Sequence, residues 1–152
     1  MTKSLESATL YVGCGLTNAP EDFKEGVELL KDTLKKDYDV FEFVGLTAGT
    51  PEDVYRWDIE HCVTDCDLFV GVCDYPSIGL GWELNESIKL DKPTLGVAHE
   101  KALVTRLVLG AAAVKPNFTF RRYNDLVADV PQYIEQQLVA VQNNIVVPEV
   151  VS

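Results

Sequence analysis

Five short runs of mostly apolar residues alternate along the chain with longer segments whose apolar residues recur at helical spacing. The short runs predict β-strands at residues 8–13, 39–44, 67–72, 93–98 and 118–123. The other segments predict helices at about 20–36, 50–63, 82–90, 101–113 and 125–141. The pattern of the tail, 145–152, predicts neither. Strands that alternate with helices in this way predict one α/β domain over residues 1–152, with a parallel sheet between two layers of helices.

The second predicted helix carries the clearest start signal in the sequence. Thr50 suits the N-cap position, Pro51 the first helical position and Asp53 the third, where an acid can return a hydrogen bond to the cap. For a sheet of five strands we expect the flavodoxin-like order 2-1-3-4-5.

This topology predicts where a ligand binds. In such sheets the ligand site lies beyond the carboxyl ends of the strands, at the point where the winding reverses, here between the first and third strands. The loops that meet there are "GCGLTNAP", which begins at Gly13, and "DYPSIGLGWE", which begins at Asp74. Both loops are rich in glycine, and we expect them to form one crevice.

Charge and composition narrow the class of partner. The net charge is −11, from 13 basic and 24 acidic residues. DNA, RNA and anionic membranes all require basic surfaces, so a small molecule is the expected partner. The polar start "MTKSLES" does not resemble a signal peptide, and no apolar run is long enough to span a bilayer, so we expect a cytoplasmic protein. The four cysteines fit no zinc spacing and are expected to be buried thiols, with no metal.

Several common nucleotide and hydrolase motifs are missing from the two loops. "GLGWEL" has only two of the three glycines of a dinucleotide fingerprint, and it follows the third strand. A flavin phosphate loop would need more Ser and Thr than the single Thr17 of the first loop supplies. The chain contains neither a P-loop nor a G-x-S-x-G nucleophile motif. We therefore expect no cofactor.

Carboxylates are the remaining candidates for chemistry. Glu83 is predicted in the first turn of the helix at 82–90, where the helix dipole would keep it ionised, as suits a nucleophile. An ordinary first-turn glutamate without a catalytic role would look the same. Asp58 and Glu60 lie on the helix between strands 2 and 3, and one of them is expected to face the crevice. Two carboxylates about 5 Å apart across a glycosidic bond are the arrangement for retaining displacement through a covalent sugar intermediate.

Three segments together resemble the nucleoside 2-deoxyribosyltransferase family, which includes the 2′-deoxynucleoside 5′-phosphate N-hydrolases. They are "LYVGCG", "RWDIEHCVTDCDLFVGV" and "PSIGLGWELNESIKLDKPTLGV", and they follow in order within residues 10–110. The resemblance implies that Glu83 attacks the anomeric carbon of the sugar, that Asp58 assists the leaving base, and that Tyr11 orients the nucleophile. From the strand alone, Tyr11 would equally be an aromatic core residue.

The resemblance also implies a set of substrate-binding residues, drawn from both loops. They are Gly13, Cys14, Gly15, Leu16, Ser77, Gly79 and Gly81. Two features point in opposite directions on the substrate's 5′ end. Many transferases of the family carry an aspartate where this chain has Ser77, which it shares with the monophosphate hydrolases. Those hydrolases resemble "GSIRGGRED" after the first strand, however, and "CGLTNAPED" contains neither arginine.

The helix predicted at 101–113 indicates how the chain assembles. It is apolar on more than one face, and such helices are usually buried, here at a subunit interface. Relatives place a polar residue at the position of Thr105, reaching into the neighbouring subunit's site. The resemblance therefore implies a homodimer or larger homo-oligomer with shared sites, in which Arg106 is a candidate for the positive charge that the first loop lacks.

The expected function is cleavage of the N-glycosidic bond of nucleosides or their 5′-monophosphates. The sugar would pass through Glu83 to another base or to water. The alternative is a nucleotide-binding module that retains the pocket without turnover.

Overall fold

The computed structural model describes residues 8–44 and 48–143. Its sheet has five parallel strands in the order β2-β1-β3-β4-β5, which confirms the predicted flavodoxin-like topology. The strands are β1 (Thr9–Cys14), β2 (Asp39–Phe41), β3 (Leu68–Val72), β4 (Thr94–His99) and β5 (Phe118–Tyr123). Each matches a predicted strand, although β2 ends three residues before the predicted boundary. The predictions for the first seven residues and for 145–152 lie outside the described residues.

Helices cover both faces of the sheet. They are α1 (Glu21–Leu34), α2 (Pro51–Val54), α3 (Ile78–Lys89), α4 (Arg106–Val114) and α5 (Leu126–Gln142). The predicted cap of α2 is confirmed, because the Thr50 side chain accepts from the Asp53 amide while the Asp53 carboxylate accepts from the Thr50 amide. None of the helices in these described stretches is both long and apolar enough to cross a membrane.

Alternation along the strands divides the core into two halves. Leu10 and Val12 of β1 point to the side covered by α1 and α5, and pack in a cluster with Val27 and Ile134. Tyr11 lies between them in sequence and points to the opposite side, which α3 covers. The two-residue period of a strand thus sends this one aromatic side chain toward the helix that carries Glu83.

A π-helical segment continues directly from α2 over Tyr55–Val63. In a π-helix the backbone hydrogen bonds join residues five apart, and short π-helical stretches occur frequently at functional sites. The Thr64 hydroxyl donates to the carbonyl of Ile59, five residues earlier. The sequence predicted an ordinary helix here.

Two helix boundaries differ from the prediction. α3 begins at Ile78, four residues early, because the Ser77 side chain accepts from the Leu80 amide and caps the helix. α4 begins late, at Arg106, because Thr105 caps it by accepting from the Leu107 amide. What looked in the sequence like a glycine-rich bend before Glu83 is therefore the first turn of α3.

Candidate active site

Glu83 and Tyr11 are joined by a hydrogen bond at the centre of the crevice. Glu83 reaches from α3 toward β1, and the Tyr11 hydroxyl donates to its Oε2. The Tyr11 ring is buried against Phe69, with ring centroids 5.5 Å apart. Tyr11 is therefore a core aromatic residue whose hydroxyl also fixes the Glu83 carboxylate.

The structure corrects the predicted environment of Glu83. It lies in the second turn of α3, not the first, so it is beyond the free amides that would stabilise an anion. Burial raises the pKa of the Glu83 carboxyl to about 7; the hydrogen bond from Tyr11 opposes this shift, and the charge of Asp58 adds to it. Glu83 is thus a carboxylate balanced between its two protonation states near neutral pH.

Asp58 is the second carboxylate of the crevice. The amide of Val44 donates to its Oδ1 at 3.0 Å. Burial raises the pKa of the Asp58 carboxyl, and the Val44 amide opposes that shift. Glu60, the other candidate on the same segment, is exposed. The π-helical segment thus presents Asp58 to the crevice and Glu60 to the solvent.

At two glycines of the first loop, neighbouring atoms lie so close to the backbone that a side chain would have little or no room. A side chain at Gly13 would meet Oε1 of Glu83 and the ring of Phe69, each 3.2 Å from its Cβ. A Cβ at Gly15 would lie 2.5 Å from the backbone oxygen of Tyr75, which belongs to the second loop. The absence of side chains at these positions lets the carboxylate reach β1 and lets the two loops touch.

One cavity of about 250 Å³ collects most of the predicted site residues. All three predicted catalytic residues line it, together with residues of both loops. The predicted members are Tyr11, Gly13, Cys14, Leu16, Asp58, Ser77, Gly79 and Glu83. Gly15 does not line this cavity; it packs against the backbone of Tyr75.

A second cavity of about 590 Å³ lies beside the first and contains the remaining predicted residues, Gly81 and Thr105. Thr17, Ser77, Gly79 and Leu80 line both cavities and form their common wall. Thr105 therefore lies in the same cavity of its own chain as Ser77.

Phe43 is a site residue that the sequence analysis missed. It lines the smaller cavity together with Asp58, and the ammonium of Lys31 lies 4.5 Å from the centroid of its ring. The backbone before it is held because the Trp57 indole donates to the carbonyl of Glu42 at 2.6 Å. The alternation of Phe41 and Phe43 past the end of β2 is the only signal in the sequence that points to it.

The described residues offer no evident metal site. Across 8–44 and 48–143, no three side chains of His, Cys, Asp or Glu lie close enough together to hold a metal ion. The polar groups of the smaller cavity are instead two carboxylates, a phenol, the Cys14 thiol and the hydroxyls of Thr17 and Ser77.

Solved structures that share this fold include enzymes of nucleoside chemistry. A CMP N-glycosidase from Clostridium botulinum is 19% identical, with a TM-score of 0.57 over 84% of this chain and 96% of that one. A 2-deoxyribosyltransferase from Leishmania mexicana is 14% identical, with a TM-score of 0.57 over 84% and 97%. A 2-deoxyribosyltransferase from Bacillus psychrosaccharolyticus is 20% identical, with a TM-score of 0.54 over 80% and 91%.

At these identities the likeness establishes a shared fold. The resemblance indicated by the three sequence segments is thereby confirmed at the level of architecture. No protein-family profile matches the sequence, and no curated protein is similar to it in sequence.

Proposed function

We propose that the protein cleaves the N-glycosidic bond of nucleosides or their 5′-monophosphates through a covalent sugar intermediate on Glu83. The observation that carries the proposal is the convergence of Glu83, its phenol partner Tyr11 and the second carboxylate Asp58 on one cavity. The shared fold with deoxyribosyltransferases and a CMP N-glycosidase supports the same reaction class.

In the first step a carboxylate oxygen of Glu83 bonds to the anomeric carbon while the carbon–nitrogen bond breaks. The electron pair of that bond leaves with the base, and Asp58 donates a proton or a hydrogen bond to it. In the second step the nitrogen of an acceptor base, or water, displaces Glu83 from the same carbon. Two displacements retain the configuration of the sugar.

The raised pKa of Glu83 is compatible with a nucleophilic role. The transition state resembles an oxocarbenium ion, so positive charge develops next to the carboxyl group. That charge favours the ionised form which burial disfavours in the free enzyme. Tyr11 holds one carboxylate oxygen, Oε2, and leaves the other, Oε1, to attack.

Base release from a panel of deoxynucleosides, ribonucleosides and their 5′-monophosphates tests the proposal. Adding a free acceptor base separates transfer from hydrolysis, because only transfer gives a new nucleoside. A 2-fluoro-2-deoxy sugar that traps the intermediate should label Glu83. Absence of base release from every compound would favour the alternative, a binding module without turnover, and a label on another residue would overturn the role of Glu83.

We also propose that the protein assembles as a homo-oligomer through α3 and α4. Large apolar side chains on this side are exposed in the single chain, and Leu103 and Leu107 belong to the segment for which the sequence analysis expected burial at a subunit interface. The exposed side chains are Ile78 (86% exposed), Trp82 (63%), Leu103 (95%), Leu107 (82%) and Val114 (76%). Exposed apolar side chains of this size are typical of a subunit interface, and Ile78 and Leu103 also line the larger cavity.

Mixing two inactive variants, one of them altered at Thr105, tests whether the active sites are shared between subunits. Proteins with Glu83→Gln and Thr105→Ala are mixed, after each alone is shown to be inactive. Shared sites predict recovered activity, because one pocket of the mixed dimer is then intact. No recovery, or a monomer by analytical ultracentrifugation, would refute sharing and leave Thr105 serving the cavity of its own chain.

A cytoplasmic location stays a prediction. The four cysteines are free thiols in the structure, which suits a reducing compartment.

A further inference from the structure

We propose that the site takes nucleosides whose 5′ end is uncharged and discriminates against 5′-monophosphates. The inference deepens the proposed function and rests on it, because it assigns the substrate class of the same crevice.

The relation between the two cavities places the 5′ end. Asp58 lines the smaller cavity but not the larger one, so the base leaves on the side of Asp58. Thr17 and Ser77 belong to the wall that both cavities share. In a nucleoside the base is bonded to C1′ and the 5′ carbon to C4′, the two carbons on either side of the ring oxygen. A sugar with its anomeric carbon at Glu83 and its base at Asp58 therefore extends its 5′ carbon past Thr17 and Ser77 into the larger cavity.

The larger cavity offers neutral groups to that 5′ end. Its hydrogen-bonding side chains are hydroxyls and one amide, from Thr17, Asn18, Tyr75, Ser77 and Thr105. The rest of its lining is apolar, glycine or a buried cysteine. No Lys, Arg or His is among the described residues that line either cavity, whereas the smaller one contains two carboxylates. The crevice is thus neutral at one end and acidic at the other.

Two lysines of α1 have carboxylate partners. Lys31 is paired with Glu28 and Glu42, at 2.8 Å each. Lys24 lies 3.5 Å from Glu21 and lines a third cavity of about 510 Å³, which contains four carboxylates of α1 and no residue of the larger cavity. The segments outside the described residues contain one basic residue, Lys3.

The four arginines also line neither cavity, and Arg56 is paired with Glu52 at 2.9 Å. Arg122 donates to the carbonyls of His99 and Ala102, and Arg121 lies over the ring of Tyr133. Arg106 is exposed at the start of α4 and lines neither cavity of its own chain.

The start of α3 compensates only in part for this lack of cations. The Leu80 amide donates to the Ser77 hydroxyl oxygen, and the Gly81 amide donates to the Ser77 carbonyl. A helix N-terminus carries about half a positive charge, whereas a phosphate monoester carries about −1.5 to −2 at pH 7. Phosphate sites normally add arginine or several clustered donors. A 5′-hydroxyl needs only one or two neutral partners, which Thr17 and Ser77 supply.

A matched substrate series tests the inference. It consists of one deoxynucleoside, its 5′-O-methyl ether and its 5′-monophosphate, with the base that is released fastest. The ether adds bulk without charge. We expect kcat/KM for the nucleoside and the ether to agree within about tenfold, and that for the monophosphate to be at least 100-fold lower. A monophosphate that is cleaved as well as the nucleoside, or better, would overturn the inference while leaving the proposed function intact.

Binding decides the question even if nothing is cleaved, an outcome that would refute the proposed function alone. Isothermal titration of the nucleoside and the monophosphate should show at least 100-fold weaker binding of the monophosphate. Equal or tighter binding of the monophosphate would contradict the inference.

Adding a positive charge should weaken the preference for the nucleoside. Thr17→Arg should raise the ratio of monophosphate to nucleoside kcat/KM at least tenfold over the matched neutral variant Thr17→Gln. Arg106→Gln should leave that ratio unchanged in the assembled protein. A selective loss of monophosphate cleavage in Arg106→Gln would show that a neighbouring subunit supplies the cation, and would overturn the inference.

Discussion

Lys31 and Glu83 are both withdrawn from water, but only Lys31 is surrounded by opposite charges. Lys31 is 1% exposed, and its ammonium contacts the carboxylates of Glu28 and Glu42 and the ring of Phe43. Glu83 has a neutral phenol as its hydrogen-bond partner and a second carboxylate, Asp58, near enough to raise its pKa. One buried charge is compensated, and the other is not.

The contrast separates a structural ion from a reactive one. Burial of an ionised group is tolerated when counter-charges replace the lost water, as they do around Lys31. Glu83 has no such counter-charge among its described partners, and under the proposed mechanism a positive charge would develop beside it. Four measurements test whether Glu83 is reactive in this way while Lys31 is structural.

The largest expected effect is on activity after Glu83→Gln. The amide keeps the size of the side chain and removes the nucleophilic oxygen, so base release should fall by about 10³-fold or more. Steady-state base release with the best substrate measures this. Lys31→Met is the control and should keep kcat within about tenfold. Comparable losses in both variants would mean that Glu83, like Lys31, acts through the fold.

Asp58→Asn should slow release of bases that need protonation by about 10²-fold or more, within the usual range for general acid catalysis. It should also move the pH dependence. Only ionised Glu83 can attack, so activity should rise as pH passes the Glu83 pKa of about 7. The charge of Asp58 contributes to raising that pKa. The activity of Asp58→Asn should therefore rise at a lower pH than that of the wild type. Glu60→Gln, on the same segment but exposed, should match the wild type in both rate and pH profile. The reverse result, an inactive Glu60→Gln beside a normal Asp58→Asn, would exchange their roles.

Stability should respond in opposite directions at the two buried charges. The folded pKa of Glu83, about 7, lies above its ordinary value of 4.5, so the folded state binds more protons between these values. Stability therefore falls as pH rises through this window, by up to about 3 kcal/mol. Glu83→Gln removes this loss and should raise the free energy of unfolding at pH 8 relative to the wild type.

Lys31→Met should lower the same free energy by about 1–2 kcal/mol, because it removes two ion pairs and the contact with Phe43. Urea unfolding at pH 5 and pH 8 measures both effects. A Glu83→Gln protein less stable than the wild type at pH 8 would show that the carboxylate is compensated after all.

The smallest effect is expected from Tyr11→Phe. The hydroxyl lowers the pKa of Glu83 by donating to its carboxylate, so its removal should shift the rise in activity to higher pH. The rate at pH 7 should fall about tenfold, since a hydrogen bond to an ionised group is worth about 1.5 kcal/mol at the lower end of its range. The pH–rate profile checks this; a shift to lower pH, or no shift, would contradict the proposed contact. Tyr38→Phe, outside the crevice, is the control.

The sequence predicted the sheet because the strand runs and the cap at Thr50 are strong local signals. From the residues alone, Asp58 and Glu60 stayed alternatives, and Tyr11 was equally a core residue. The family resemblance then selected Tyr11, Asp58 and Glu83 as candidate catalytic residues. The structure places all three on one cavity.

The start of α3 could not be predicted in the same way. Gly79 and Gly81 are poor helix formers, and in sequence they suggest a bend. In the folded protein the side-chain cap of Ser77 and the burial of Leu80 and Leu84 outweigh that preference. The protonation of Glu83 was mispredicted for the same reason, since its helical turn was counted from the wrong residue.

Phe43 was missed because its role depends on contacts far away in the sequence. The Trp57 indole and the Lys31 ammonium, from two different helical segments, hold the short stretch around it. The alternation of Phe41 and Phe43 places the two rings on one side of the chain but carries no information about these distant partners.

The π-helical segment has a consequence for how this chain tolerates insertions and deletions. Successive residues of an α-helix are turned by about 100°. Removing one residue between Tyr55 and Asp58 would let the segment relax toward an α-helix, and would turn the Asp58 side chain away from the crevice without disturbing the sheet. The site is thus protected against many single substitutions on the solvent side of this segment but is vulnerable to a change in its length. Among proteins with this architecture, the sequence of this segment should accordingly vary much more than its length.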